Sequence, residues 1–357
     1  MTLGTLAHRI WYRDEPVSSL LRALLLPAAA LYRVGTALRN AAYDARLLPS
    51  GRLPLPAIGF GNLAVGGTGK TPLAAAFASG LLERGVKVAV LLRGYGGDEA
   101  AVHELLAPGC VVIQNPDRGA GSRAALEQGC EALVLDDALQ HRRVVPEAMV
   151  AVVAAETWRS VRWPLPSGPW REGKGALRRA DLVAVTVKVA RHEHAANLAR
   201  KLASLTRLSA AVVAKLELGD LEAAAGQAVP VSELRGRRVL AVCGVGYPDA
   251  FVAQLVAAGA SVREAVYGDH HRYTVSDVRD LVAAVPRDGL VVTTAKDAAK
   301  LRPLWPSGPS SPQLLVALQR MRLLSGEPLW EQLLERVATA ARAPNRRTAA
   351  APFAREQ

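Results

Sequence analysis

Gly66, Gly67, Gly69, Lys70 and Thr71 lie close together in the stretch GNLAVGGTGKTP, residues 61–72. They supply what a phosphate group needs: bare backbone N–H donors that can curl around an anion, a cation for the outer phosphates, and a hydroxyl placed to hold magnesium. With Thr68 they complete the end of the pattern G-x-x-x-x-G-K-[ST], whose first place is held here by Ala64. A small side chain fits there if φ is negative. A second group follows in EALVLDDALQH, residues 131–141, an apolar run that ends in Asp136 and Asp137. Magnesium takes carboxylate oxygens, and a nucleotide-hydrolysing or phosphate-transferring site places one at a strand end beside the loop. Two adjacent aspartates alone read equally well as a solvated turn. Next to GGTGKT they read as metal ligands, Asp136 or Asp137 joining Thr71.

These groups need elements to hold them. LPAIGFG (55–61) reads as a short buried strand entering the loop. Residues 71–84 read as a helix with Leu73, Phe77, Leu81 and Leu82 on one face and its positive end towards the phosphates. Pro72 falls in the first turn, where its missing N–H costs nothing. Further strands are expected at 87–92, 110–113, 132–136, 148–154 and 182–187, and Ser122 can cap a short helix running to Gln128. Strands alternating with helices imply an α/β fold, a parallel sheet covered on both faces. A second βα series opens at 239–243, with strands near 262–266, 290–294 and 314–318. The expected organisation is an N-terminal membrane-associated segment (1–50), a phosphate-loop domain (51–217), a smaller α/β domain (218–340) and a disordered tail (341–357) rich in Ala, Arg and Pro.

The chain has 357 residues, half of them hydrophobic, 21% charged, with a net charge of +12. That suits a folded protein with an anionic partner, whether nucleic acid, phospholipid or phosphorylated substrate. No aromatic-basic interleaving, zinc-ligand spacing or recognition-helix signature favours nucleic acid. Cys110, Cys130 and Cys243 form no C-x-x-C pair and no disulfide framework, which points to a reducing compartment. No signal-peptide pattern is present. The segment 17–35, VSSLLRALLLPAAALYRVG, is mostly apolar and interrupted by Arg22, Pro27 and Arg33. Arg9, Arg13, Arg39 and Arg46 flank it, with Trp11, Tyr12, Tyr32 and Tyr43 near its ends. It is marginal as a spanning helix and reads as one lying in an anionic membrane interface, the alternative being a core helix.

Six stretches follow in order: GNLAVGGTGKTP, RGYGG (93–97), LDDALQHRRV (135–144), LPSGPWRE (165–172), GDHHRYT (268–274) and TTAKDAAKL (293–301). In these the chain resembles the tetraacyldisaccharide 4'-kinase (lipid A 4'-kinase) family, from the N-terminal apolar segment to about residue 335. The resemblance implies two phosphate-loop-like α/β domains with the site in the cleft between them. It implies transfer of the ATP γ-phosphate to the 4'-hydroxyl of a tetraacylated glucosamine disaccharide 1-phosphate, with Mg2+, at the cytoplasmic face of the inner membrane. Peripheral or monotopic attachment to anionic lipid is expected, with no nucleic acid and no obligate protein partner.

By the same resemblance Asp98 is the base that takes the sugar hydroxyl proton, paired with His270 from the second domain. The adjacent His271 leaves a swap open. Asn62, Tyr95, Arg118, Gln140 and Arg171 are assigned to the acceptor. Arg118 and Arg171 can hold phosphate through bidentate contacts or be surface cations, and Tyr95 can line the cleft or be a loop aromatic. The chain departs from the family's usual residues at Ala64, Ala100, Ala138 and Ala295. It also lacks a segment of roughly a dozen residues or more between R-G-Y-G and G-D-E-P, which here share a glycine in RGYGGDEA (93–100). The rival reading is a partitioning or targeting ATPase acting by dimerisation, whose signature lysine would occupy the position of Val65.

Overall fold

The computed structural model describes residues 7, 10–11, 15–94, 98–158, 163–223, 226–269, 271–286, 288–308 and 311–343. After two N-terminal helices, α1 (Pro16–Leu24) and α2 (Leu26–Asp44), the first half alternates β1 (Ala57–Asn62), α3 (Lys70–Glu83), β2 (Val88–Leu92), α4 (Asp98–Leu106), β3 (Val111–Gln114), α5 (Arg118–Glu127) and β4 (Ala132–Leu135). It continues through β5 (Ala148–Ala154), β6 (Leu182–Val187), α6 (His192–Ala203) and the long β7 (Ala210–Glu222). The second half holds β8 (Ala228–Val229), β9 (Arg238–Cys243), α7 (Pro248–Ala257), β10 (Ser261–Val266), α8 (Val275–Ala284), β11 (Leu290–Thr294), α9 (Ala295–Leu301), β12 (Leu314–Ser325) and α10 (Glu327–Arg342).

All the strands join in one sheet of twelve, ordered β10-β9-β11-β12-β7-β6-β5-β1-β4-β2-β3, with β8 beside β7. Every pairing is parallel except β12 with β7 and β7 with β8. The continuous apolar runs of β1, β2, β4, β5 and β6 are buried along their whole length, as a sheet covered on both faces requires. The α/β class is therefore as expected from the alternation.

Two features differ from the expected division at 217/218. That boundary falls inside β7, which pairs with β12 along almost its whole length and carries the sheet unbroken from one half to the other. The last helix, expected with the second half, packs in the core of the first: the Trp330 ring lies 5.2 Å from Phe77 and 6.1 Å from Phe60. Its apolar stripe of Trp330, Leu333, Leu334 and Val337 has nowhere else to be buried. The helix before β4 also differs. Asp117 caps it, accepting from Gly119 N at 2.8 Å and Ala120 N at 3.2 Å, while Ser122 is buried in its second turn.

The N-terminal pair bends by 51° between α1 and α2. Among the described residues no single helix is long and apolar enough to cross a membrane, although this bent pair together has the length and composition. Its small or amphipathic residues, Ser18, Ala29 and Tyr43, face the protein, and Leu20, Leu24, Leu31 and Leu38 are 62–75% exposed. The inward face is tied to the loop 165–172: Trp11 Nε1 donates to Pro166 O at 2.9 Å, Ser167 Oγ to Arg22 O at 2.8 Å, and Asn40 Nδ2 to Glu172 Oε2 at 2.7 Å.

Candidate active site

The glycine-rich turn joins β1 to α3 at the carboxyl edge of the parallel strands, where α/β sheets bind ligands. Ala64 forms an extended bridge with Trp170, and Val65 N donates to Pro169 O at 2.8 Å, so the non-glycine first position fits. Gly69 adopts φ +82°, and a Cβ there would come within 2.3 Å of Leu216 Cδ1. Only glycine satisfies both demands. Thr68 is held from two sides: Asn62 Nδ2 donates to its Oγ1 at 2.8 Å, and Thr186 Oγ1 donates to its carbonyl at 2.8 Å. The loop opens onto a cleft of about 440 Å³ walled also by Glu99, Asp137, Arg171, Lys188, Asp269 and Lys296.

Asp137 is the hub of this cleft. It sits in the left-handed region at φ +56°, a conformation that aspartate tolerates better than most residues. Arg171 reaches it with both terminal nitrogens, each at 2.8 Å, and Lys70 Nζ bonds to its Oδ1. Burial alone would raise its pKa, but the Arg171 hydrogen bonds and the Lys70 charge outweigh that and hold the carboxyl well below the usual carboxylate range. Arg171 also donates to Asn62 Oδ1, and Gln140 Nε2 donates to Asn62 O at 2.9 Å.

Asp136 is buried behind it. Thr71 Oγ1 lies 3.1 Å from Asp136 Oδ2, His103 Nε2 lies 3.1 Å from the same oxygen, and Asp137 N donates to Oδ1 at 2.8 Å. Burial pushes the Asp136 pKa up, and the His103 hydrogen bond and the Lys70 charge bring it below its ordinary value. The Thr71–Asp136 spacing suits a hard cation: two adjacent oxygens of an octahedral ion with bonds of 2.0–2.1 Å stand about 2.9 Å apart. The donor set fits magnesium through Thr71 and Asp136, with Asp137 one residue further on and engaged by cations.

Other expected site residues stand elsewhere. Asp98 opens α4 instead of standing in a loop, and is buried with its Oδ2 2.9 Å from Lys300 Nζ of α9. Of the two carboxylates that open α4, its neighbour Glu99 lines the cleft, with a pKa raised by burial and then by Asp136. Arg118 does not reach the cleft. It is 2% exposed and spends its two terminal nitrogens on main-chain carbonyls, Leu91 O at 2.5 Å and Asp136 O at 2.6 Å. Burial lowers its pKa to about 10, and the neighbouring Asp136 and Asp137 favour its charge. Arg118 therefore fixes the strand ends that carry the aspartates. His271 stacks on Tyr267 with centroids 4.6 Å apart and meets Asp277 Oδ2 at 3.3 Å, so it anchors its own loop. Tyr95 and His270 lie outside the described residues.

The sequence reading passed over His103 and Lys188. A lone histidine in an apolar helix carries no signal of a partner 33 residues away. Lys188 did carry one, since it directly follows a parallel strand at the edge where ligands bind.

A phosphate loop, a strand ending in two aspartates beside it, and a cleft at the carboxyl edge of a parallel sheet define a nucleoside-triphosphate-binding α/β protein. The family profile described as Tetraacyldisaccharide-1-P 4'-kinase (LpxK) matches residues 21–338. A tetraacyldisaccharide 4'-kinase of Anaeromyxobacter dehalogenans (strain 2CP-1) is 37% identical over 366 residues, covering 91% of this chain and 93% of its own. One from Syntrophus aciditrophicus is 34% identical over 320 residues, covering 79% of this chain and 85% of its own. Among solved structures, LpxK from Aquifex aeolicus in complex with ATP is similar with a TM-score of 0.69 and 26% identity, over 89% of this chain and 99% of that one. This chain belongs to the tetraacyldisaccharide 4'-kinase family. The partitioning or targeting ATPase reading is not favoured by any of these likenesses.

Proposed function

We propose that the protein transfers the γ-phosphate of ATP to the 4'-hydroxyl of a tetraacylated glucosamine disaccharide 1-phosphate, making a bisphosphorylated lipid A precursor. The observation that carries this is the placement of Lys70 and Thr71 against Asp137 and Asp136 in a chain of this family. Phosphoryl transfer needs mostly positioning and charge stabilisation. Lys70 exchanges its contact with Asp137 for the outer phosphates, and Asp137 stays oriented by Arg171. Thr71 and Asp136 hold Mg2+, which when bound neutralises charge on the phosphate oxygens. Arg171 lines the cleft towards the acceptor, and buried Asn62, itself bonded to Gln140, braces it.

The base is Asp98 by motif register, paired with His270. A second reading is favoured by one observation: of Asp98 and Glu99, Glu99 lines the cleft. The second half of the chain supplies the facing wall of the cleft through Asp269, Thr294 and Lys296. The exposed leucine face of α1 and α2 rests in the anionic cytoplasmic leaflet of the inner membrane, close to where an acylated substrate would enter. The test is to incubate the purified chain with ATP, Mg2+ and the disaccharide 1-phosphate. A bisphosphorylated lipid is the expected product. ATP consumption independent of the acceptor, with no such lipid, would overturn the assignment.

A further inference from the structure

Two lysines of the cleft have no role in the account so far. Lys188 directly follows β6, and Lys296 is the second residue of α9, so they belong to different halves of the chain and line the same cavity. Among the described residues neither ammonium enters an ion pair. Lys188 Nζ reaches only the phosphate-loop carbonyl of Gly67, at 3.4 Å. The acid whose charge acts on it is otherwise engaged: Glu156 Oε1 accepts from the main-chain N–H groups of Lys188 at 2.6 Å, Val189 at 3.1 Å and Ala190 at 3.2 Å. Glu156 thus fixes the segment in place and leaves the ammonium over the loop. Burial pushes the Lys188 pKa down, Glu156 draws it up, and the like charge of Lys296 pushes it down again.

We propose that Lys188 and Lys296 are further phosphate ligands for the nucleotide, one from each half, that close on the same anion. This rests on the kinase reading and adds to it a charge contact that spans the cleft. A half-buried cation with a single long hydrogen bond to a neutral carbonyl is poorly satisfied, and a second cation in the same cleft adds repulsion. A triphosphate seated on the loop converts both costs into attraction. The halves already touch beside it: a Cβ on Gly246 would stand 3.2 Å from Gly67 N and 3.4 Å from Gly66 Cα. The second half therefore sits close enough for Lys296 to share an anion with the loop.

Isothermal titration of Mg-ATP into the full chain, its Lys188→Met and Lys296→Met variants and the double variant tests this. Each single substitution is expected to raise the Kd roughly tenfold, on the scale of a charge-assisted contact. The double variant should fall short of the product of the two losses, because the cations share one anion. Without nucleotide, Lys188→Met should melt at or above the wild-type temperature, since it removes a half-buried cation that the like charge of Lys296 opposes. A Kd within twofold of wild type for either single variant would overturn the proposal. A lowered melting temperature with unchanged affinity would do the same and reduce Lys188 to a brace for the loop. Lys70→Ala is the control: if wild type failed to bind ATP, or Lys70→Ala bound it equally well, the kinase reading and this proposal would fall together.

Discussion

Arg171 meets Asp137 end-on, its two terminal nitrogens each 2.8 Å from a different carboxylate oxygen. That fork fixes Asp137 while Lys70 holds one of the same oxygens, so the aspartate keeps its orientation when the lysine turns to phosphate. Lysine cannot reproduce the fork. Lys70→Ala should lose roughly a hundredfold or more in kcat, about 3 kcal/mol of transition-state stabilisation. Arg171→Lys should lose roughly tenfold or more. Far-UV circular dichroism should be unchanged in both. Steady-state kinetics with both substrates checks this, and a Lys70→Ala enzyme within threefold of wild type would remove the loop from the mechanism.

The two carboxylates that open α4 can be separated by substitution. With Asp98 as base, Asp98→Asn should lower kcat by roughly a hundredfold or more while leaving the KM for ATP in place, and Glu99→Gln should cost less. The reverse order would move the base to Glu99. Asp98→Asn also weakens a buried pair with Lys300, so its chemical denaturation curve must be measured beside its rate.

Arg118 should behave as a structural residue. Arg118→Met strands the carbonyl of Asp136, at a cost of about 1–3 kcal/mol, and removes one of two donors from Leu91 O, which keeps Asp136 N at 3.2 Å. The expected result is a clear fall in the denaturant midpoint, with a KM for the acceptor that changes little in whatever folded enzyme remains. A raised acceptor KM at unchanged stability would return Arg118 to the substrate.

His141 makes stability depend on pH. Burial, then the charges of Arg118 and Arg93, lower its pKa to about 4. The unfolded chain, with an ordinary histidine near 6.5, binds the proton first as pH falls. Stability contributed by neutral His141 is therefore complete above about pH 6.5 and declines as pH drops towards 4, by roughly 2–3 kcal/mol at the acid end. Urea titrations across that window should show the slope, and His141→Gln should flatten it.

The leucine face of the N-terminal helices should bind lipid without supporting the fold. Replacing Leu20, Leu24, Leu31 and Leu38 with serine should weaken binding to vesicles containing anionic lipid, leaving the melting temperature within a few degrees. Raised salt should weaken the wild type as well. Substitution is cleaner here than deletion of residues 1–35, which would also cut the bonds of Trp11 and Arg22 to the loop 165–172. Undiminished vesicle binding by the serine variant would place the membrane contact elsewhere.

Strands 148–154, 182–187 and 290–294 have the bounds their sequence announces, because each is a short β-branched or apolar run, and 182–187 is closed by Asp181 and Lys188. The phosphate loop and the aspartate pair were equally legible, since their chemistry is local and depends on spacing along the chain. β7 was not, since its second part alternates in LELGDLE and pairs with a strand about a hundred residues later. Arg118 looked like a phosphate ligand because an arginine before a helix has no mark of the carbonyls it will meet. Asp98 looked like a loop carboxylate because its partner Lys300 lies some two hundred residues away in sequence. Asp117 took the cap expected of Ser122 because the helix begins four residues earlier, at Arg118.

The return of α10 to the first core has a consequence for how the chain is made. Phe60 and Phe77 leave the ribosome about 250 residues before Trp330, which packs on both rings. Until then the phosphate-loop helix has one apolar flank open to water or to chaperones. A nascent chain stopped before Glu327 carries every residue assigned here to the nucleotide and still lacks the plug of its own main core. Synthesis of α10 is thus the step that completes the core of the phosphate-loop half.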